Sequence, residues 1–269
     1  MLTIGILITG SIILLLPFFW MISTSLKEGV SVYQMPPQWI PKEPQWNNYK
    51  RIIFEFPFPR YMLNSTILSL VNIIGNILSC SLVAYAFATQ KFKYKKQLFV
   101  LLLATMMLPS SVLFFPQFML FAKLGWYGTM LPLWVPSFLG NAFFIFLLRQ
   151  YFLTISTELA DAARIDGCNN FRIFWNIYLP LSKPVLATVA IYTFMGVWND
   201  FFAPLIYITE EKHRTAAIAL YYLRNTYERI SSLPITMAAS ILTIIPALIL
   251  YYLGQRYFFK GLVFKGTDK

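Results

Sequence analysis

The sequence predicts an all-α membrane protein with six transmembrane helices, and three observations carry that prediction. Hydrophobic residues make up 58% of the 269 residues and charged residues only 12%, where soluble domains carry about a quarter charged. The mean hydropathy is +0.60. The apolar residues gather into continuous runs long enough for a bilayer, which takes ~20 residues per helix. Lipid offers the backbone no hydrogen bonds, so runs of this continuity suit helices rather than the alternating strands of a barrel.

The first span covers about 2–23; its length and the lack of a basic stretch before it argue for a retained helix over a cleaved signal peptide. A polar segment rich in Pro and Trp follows (Pro36, Pro37, Trp39, Pro41, Pro44, Trp46), suited to the membrane–water interface. The second span, 63–89, ends at the basic cluster Lys91, Lys93, Lys95 and Lys96. The third and fourth cover about 98–121 and 129–148. An amphipathic loop, 149–183, separates them from the fifth span, 184–208, and the sixth, 235–253, precedes a basic tail. The whole chain, 1–269, reads as one membrane domain. Pro17, Pro109, Pro116, Pro132, Pro136, Pro204 and Pro246 fall inside spans, where they give either ordinary kinks or hinges around a substrate cavity.

The formal charge is +11, from 22 Lys and Arg against 11 Asp and Glu. In a soluble protein that balance points to nucleic acid. Here the cations lie in short segments between apolar runs, where they orient the chain and meet lipid head groups, so membrane lipid and no nucleic acid is the expected contact. Placing both termini in the cytoplasm puts 12 Lys and Arg inside against 10 outside, with the dense lysine cluster on the inner side. Two cysteines, Cys80 and Cys168, and a single histidine, His213, give neither a disulfide framework nor metal-ligand spacing.

The loop is the most informative segment. Residues 156–183 read STELADAARIDGCNNFRIFWNIYLPLSK. Ser156 or Thr157 can cap a helix whose positive end suits Glu158 and Asp161, and Gly167 can close it in a left-handed conformation. Leu159, Ala162, Ala163 and Ile165 are expected to form its packing side. Asn169 or Asn170 can cap a second helix that carries Phe171, Phe174, Trp175 and Tyr178 and stops before Pro180. Two short helices joined by a glycine turn result.

At these residues the chain resembles the permease family of binding-protein-dependent ABC importers, whose loop signature is Glu-Ala-Ala, three residues, Gly, nine residues, then Ile-x-Leu-Pro. Asp161-Ala162-Ala163, Gly167 and Ile177-Tyr178-Leu179-Pro180 match that spacing, with Asp161 standing where glutamate is usual. Ser25-Leu26-Lys27, Asn47-Asn48-Tyr49, Asn64-Ser65, Leu108-Pro109, Lys123-Leu124-Gly125, Ile165-Asp166-Gly167 and Trp198-Asn199-Asp200-Phe201 with Pro204-Leu205 resemble the maltose-type sugar branch, its smaller permease. The tail, Gly261-Leu262-Val263-Phe264-Lys265-Gly266, looks like a shortened form of that branch's ending.

The resemblance implies the type I ABC importer permease fold, with cytoplasmic coupling helices between the fourth and fifth spans, in a bacterial inner membrane. It implies a second permease, an ATPase dimer holding ATP and Mg, an extracellular solute-binding protein and a sugar or oligosaccharide substrate. Polyols or glycerol phosphates are the next substrate classes. Glu158, Asp161, Ala162, Ala163, Asp166, Gly167 and Pro180 would then couple to the ATPase. Without the spacing match, the same segment would read as a surface helix resting on lipid. No GxxxxGK[ST] phosphate loop occurs, so the ATP site is expected on another chain, and no catalytic role is expected here.

Candidates for the substrate path are Trp198, Asn199 and Asp200, with Asn72 and Asn76 on one face of the second span. An aromatic beside an amide can hold a sugar by stacking and hydrogen bonding. Trp is equally at home at an interface, and intramembrane amides often serve helix–helix hydrogen bonds instead. Asp200 is a path or gate residue, or an interfacial residue at a helix end. An ion-coupled secondary transporter, the alternative, needs several embedded carboxylates or histidines, and only Asp200 is available. An intramembrane enzyme needs a nucleophile–base pair, and Cys80 has no histidine near it in sequence.

Overall fold

The structure is a computed structural model that describes residues 2–226 and 229–262. Every element among them is helical. Four helical stretches are long and apolar enough to cross a membrane, five when the bent pair Asn170–Leu181 and Lys183–Trp198 counts as one span. The chain divides into two compact units, Met1–Ser65 with Lys212–Ile249, and Thr66–Glu211 with Leu250–Lys269.

In the first unit, α1 (Leu2–Ser25) is apolar all round and none of its apolar stretch is buried within the chain, as suits a helix facing lipid or another subunit. Its end is tied down by polar contacts. Asn48, in α2 (Asn47–Phe54), donates from Nδ2 to the carbonyls of Ser25 (2.9 Å) and Lys27 (3.0 Å), and Ser25 Oγ pairs with Tyr49 Oη at 2.8 Å. Trp39, from the Pro/Trp segment, stacks on Phe19 and meets Trp20 edge-on. The start of α3 (Phe58–Thr89) packs Phe58 and Tyr61 with Ile52 against Ala219 and Leu223 of α13 (Ala216–Thr226) and Ile235, Ala238 and Ala239 of α14 (Arg229–Leu262). Asn64 Nδ2 donates to the carbonyls of Lys212 and Arg214, both at 2.9 Å, and Ser65 Oγ accepts from the Ala216 amide.

The second unit is built on the rest of α3. Its core joins Cys80, Ala84 and Tyr85 to Phe144, Leu148 and Phe152 of α7 (Ala142–Phe152) and to Val185 and Val189 of α11 (Lys183–Trp198). Asn72 Nδ2 donates to the Leu133 carbonyl of α6 (Leu131–Trp134) at 3.0 Å, and Asn76 Nδ2 to Thr193 Oγ1 of α11 at 3.4 Å. Gly75 lies so close to Ser137 and Phe138 that a Cβ there would collide with both.

The expected spans differ from the structure where the backbone is interrupted. The second begins at Phe58 rather than 63, because Pro59 sits in the first turn, where its missing N–H costs nothing. The third is two helices, α4 (Lys95–Thr105) and α5 (Ser110–Lys123). Pro109 disfavours helical geometry at Leu108 and is itself extended, at φ −62° and ψ 134°. The fourth breaks between α6 and α7 at a 3-10 turn, Val135–Leu139, and at Gly140, whose φ of 93° only glycine adopts readily. Asn141 then caps α7, accepting from Phe143 N at 3.0 Å and Phe144 N at 3.2 Å. The fifth breaks at 199–201, between α11 and α12 (Phe202–Tyr207). The sixth lies inside the longer α14. Of the tail, residues 263–269, with Val263, Phe264, Lys265 and Gly266 of the motif, lie outside the described residues.

Candidate functional site

The loop between α7 and α11 folds as two short helical segments. α8 (Thr157–Ile165) starts where Ser156 Oγ accepts the Glu158 amide at 3.2 Å, with Glu158 in the first turn and Arg164 in the last, as the helix dipole favours. It ends in a Schellman motif: Gly167 N–H donates to the Arg164 carbonyl (3.0 Å) and Cys168 N–H to that of Ala163 (2.9 Å). Gly167 has a φ of 80° and open space where a Cβ would stand, so the requirement for glycine is one of backbone conformation rather than room.

α9 (Asn170–Ile173) is capped by Asn169, whose Oδ1 accepts from the Arg172 amide at 2.8 Å. It continues through a π-helical turn, Phe174–Tyr178, into α10 (Leu179–Leu181). The second loop helix therefore runs past Pro180 instead of stopping before it. The wider π turn accommodates a proline that has no N–H and would otherwise crowd the carbonyl four residues back. Ser182 follows, and the axis bends by 78° into α11.

The two faces of α8 differ from the expected arrangement. Ala160 and Ala163 point inward, and with Ile173, Phe174 and Tyr178 they close the core around Tyr85 and Phe152. Leu159, Ala162 and Ile165 point outward, Ile165 at 88% exposure. Phe171 and Trp175, stacked at 6.2 Å between centroids, are exposed too. Glu158, Asp161, Asp166, Gly167 and Pro180 are all exposed. Asp161 pairs with Arg164 one turn on, at 2.5 Å. The anchor of this loop to the end of α3 escaped sequence reasoning: Asn170 Nδ2 donates to Gln90 Oε1 at 3.2 Å. Arg149, at the end of α7, likewise donates to the Phe87 carbonyl at 3.2 Å and lies over the Phe99 ring. No sequence pattern links either pair.

The candidate path residues do not converge. Trp198 is buried and stacks on Phe194 at 5.0 Å. Asn199 is exposed and its amide donates to the Met195 carbonyl at 2.8 Å, within its own turn. Asp200 Oδ1 accepts from the Ala203 amide at 3.2 Å, at the start of α12. Asn72 and Asn76 are buried in the interhelical bonds already described.

These features meet known proteins over most of the chain. The sn-glycerol-3-phosphate transport system permease protein UgpE of Yersinia pestis bv. Antiqua (strain Antiqua) is 33% identical over 263 residues, 96% of this chain and 93% of that protein. The arabinooligosaccharides transport system permease protein AraQ of Halalkalibacterium halodurans is 37% identical over 204 residues, 76% of this chain and 72% of that protein. The crystal structure of a bacterial ABC transporter involved in import of the acidic polysaccharide alginate contains a chain of the same fold, with a TM-score of 0.84 at 24% identity, covering 96% of this chain and 95% of that one. The family model for binding-protein-dependent transport system inner membrane components matches residues 75–263, which include the whole loop. That match favours an importer permease over an ion-coupled secondary transporter, and a transport subunit over an enzyme. The chain belongs to the family of binding-protein-dependent transport system inner membrane components.

Proposed function

We propose that this permease imports a carbohydrate delivered by an extracellular solute-binding protein, in an assembly with a second permease and an ATPase dimer. Both termini lie in the cytoplasm, so that α8 and α9 face the ATPase. The single observation that carries the coupling role is the outward face of α8. Leu159, Ala162 and Ile165 are apolar and exposed on a helix whose other side is fixed in the core, and the relatives named above are transport-system permeases. A helix held from behind and apolar in front is suited to seat in a partner's cleft and move with it.

ATP and Mg2+ belong to the ATPase, which supplies the energy. This chain's residues transmit it. Glu158, Asp161 and Asp166 present acidic groups around the apolar face, Ala162 allows close approach of the partner, Ala163 fixes the helix to the core behind it, and Gly167 and Pro180 set the joints. The candidate path residues Trp198, Asn199, Asp200, Asn72 and Asn76 include no cation. The carbohydrate reading is supported instead by the arabinooligosaccharides permease among the relatives, beside the glycerol phosphate that the UgpE name carries.

Two substitutions in the assembled importer test the reading. Gly167→Pro removes the N–H bonded to Arg164 and forbids the positive φ, and is expected to lower uptake by at least about tenfold while membrane insertion persists. Ile165→Glu changes a side chain exposed in this chain, so insertion and thermal stability should hold while coupling of ATP hydrolysis to uptake is lost. Wild-type uptake by Ile165→Glu would overturn the docking role of this face.

A further inference from the structure

The sequence between Glu55 and Glu158 contains no Asp or Glu, yet it folds several cations together. Lys95 and Arg149 meet at the C-terminal end of α3. Lys95 Nζ donates to the carbonyls of Gln90 (2.9 Å) and Ala88 (3.5 Å), and Arg149 Nε to that of Phe87 (3.2 Å). These bonds answer the unpaired carbonyls and negative pole of the helix end. They do not use up the donors: an ammonium has three and a guanidinium five. Neither group takes part in the ion pairs Arg51–Glu55 and Asp161–Arg164. Burial first, and then the neighbouring Arg149, hold the Lys95 pKa below the ordinary lysine value.

Lys95, Lys96 and Arg149 line a cavity of about 220 Å³ with the rings of Phe87 and Phe99. Lys96 also opens a second hollow, about 580 Å³, continued by Gln97, Val100, Leu101 and Ala104 along one stripe of α4. Val100 and Leu101 are 59% and 64% exposed. A cationic pocket and a shallow apolar hollow therefore share Lys96 on a helix of a membrane protein. That sequence of surfaces, charge first and hydrocarbon next, has the shape of an amphiphile.

We infer that the pocket of Lys95, Lys96 and Arg149 binds the phosphate headgroup of an anionic phospholipid whose acyl chain lies along Val100, Leu101 and Ala104. A soluble anion would use the cations but leave the hollow empty. The site also has a route to the energy-coupling loop. The Gln90 carbonyl that receives Lys95 and the Gln90 side chain that receives Asn170 belong to one residue, so the bound headgroup steadies the anchor of α9.

The test uses the assembled importer in nanodiscs of phosphatidylcholine with a minority of phosphatidylglycerol, and reads retained lipid by native mass spectrometry. Lys96 is exposed, so Lys96→Gln is the primary variant. It should lower phosphatidylglycerol retention about fivefold, the weight of one basic side chain at an anionic membrane surface. Lys91→Gln and Lys93→Gln, in the same basic segment but outside the pocket, should retain it as the wild type does, and excess inorganic phosphate should leave it bound. Undiminished retention in Lys96→Gln would overturn the site. So would equal loss in the Lys91 and Lys93 variants, which means diffuse surface charge, or displacement by inorganic phosphate, which means a soluble-anion site. Substrate uptake, measured in parallel, stands or falls separately from these outcomes.

Discussion

Beyond Ser25 the chain leaves α1, and one amide side chain answers the carbonyl of its last residue and that of Lys27, two residues on. Asn48 bonds the Ser25 and Lys27 carbonyls together, so Asn48→Ala should cost about 2 kcal/mol, near 1 kcal/mol for each bond. Asn48→Asp should cost at least as much, because a carboxylate accepts and cannot donate. Thermal denaturation of the purified importer checks both, and an unchanged melting temperature in Asn48→Ala would remove this account of the α1 terminus. The pairings Asn47-Asn48-Tyr49 with Ser25-Leu26-Lys27, and Asn64-Ser65 with 212–216, join short motifs that are visible in the sequence. Their partners lie far along the chain, and no local pattern names them. The faces of α8 were illegible for a different reason. Ala160, Ala162 and Ala163 carry no polarity contrast, so periodicity alone did not decide which of them turns inward. The capping residues were legible, since Ser156, Gly167 and Asn169 each act through bonds to backbone within three residues.

At the scale of elements, hydropathy located the apolar segments but not their backbone continuity. It measures the solvent a run prefers, and the interruptions at 106–109 and 135–141 are as apolar as the helices around them or nearly so. Proline and glycine geometry decides these breaks. Helix spacing has its own signature in two glycines. Gly75 on α3 sits against Ser137 and Phe138, whereas Gly196 on α11 has nothing within 4 Å of a Cβ. Gly75→Val should therefore separate α3 from the Val135–Leu139 turn and cost about 1–3 kcal/mol or more as overpacking. Gly196→Ala should be neutral or stabilise by up to about 1 kcal/mol, through helix propensity and the loss of unfolded-state freedom. Matched thermal denaturation of the two variants separates close approach from propensity. Equal losses in both would show that Gly75 is not held by its neighbours.

For the whole molecule, orientation follows from the loop. If α8 and α9 meet an ATPase, they lie in the cytoplasm, and so do both termini of a six-span chain. The protein carries its own reporter. Of its two cysteines, Cys80 is fully buried in the core of the second unit, and Cys168 stands half-exposed at the turn after α8. A membrane-impermeant maleimide should leave the native chain unlabelled in intact spheroplasts and add one label per chain in inverted vesicles. Cys168→Ser should abolish that label, and Cys80→Ser should not. Binding of the ATPase should slow the reaction at Cys168, since the residue lies directly beside Gly167 and the outward face of α8. Labelling from the outside of spheroplasts would reverse the orientation, and with it the docking of α8 on a cytoplasmic partner, whatever substrate the permease carries.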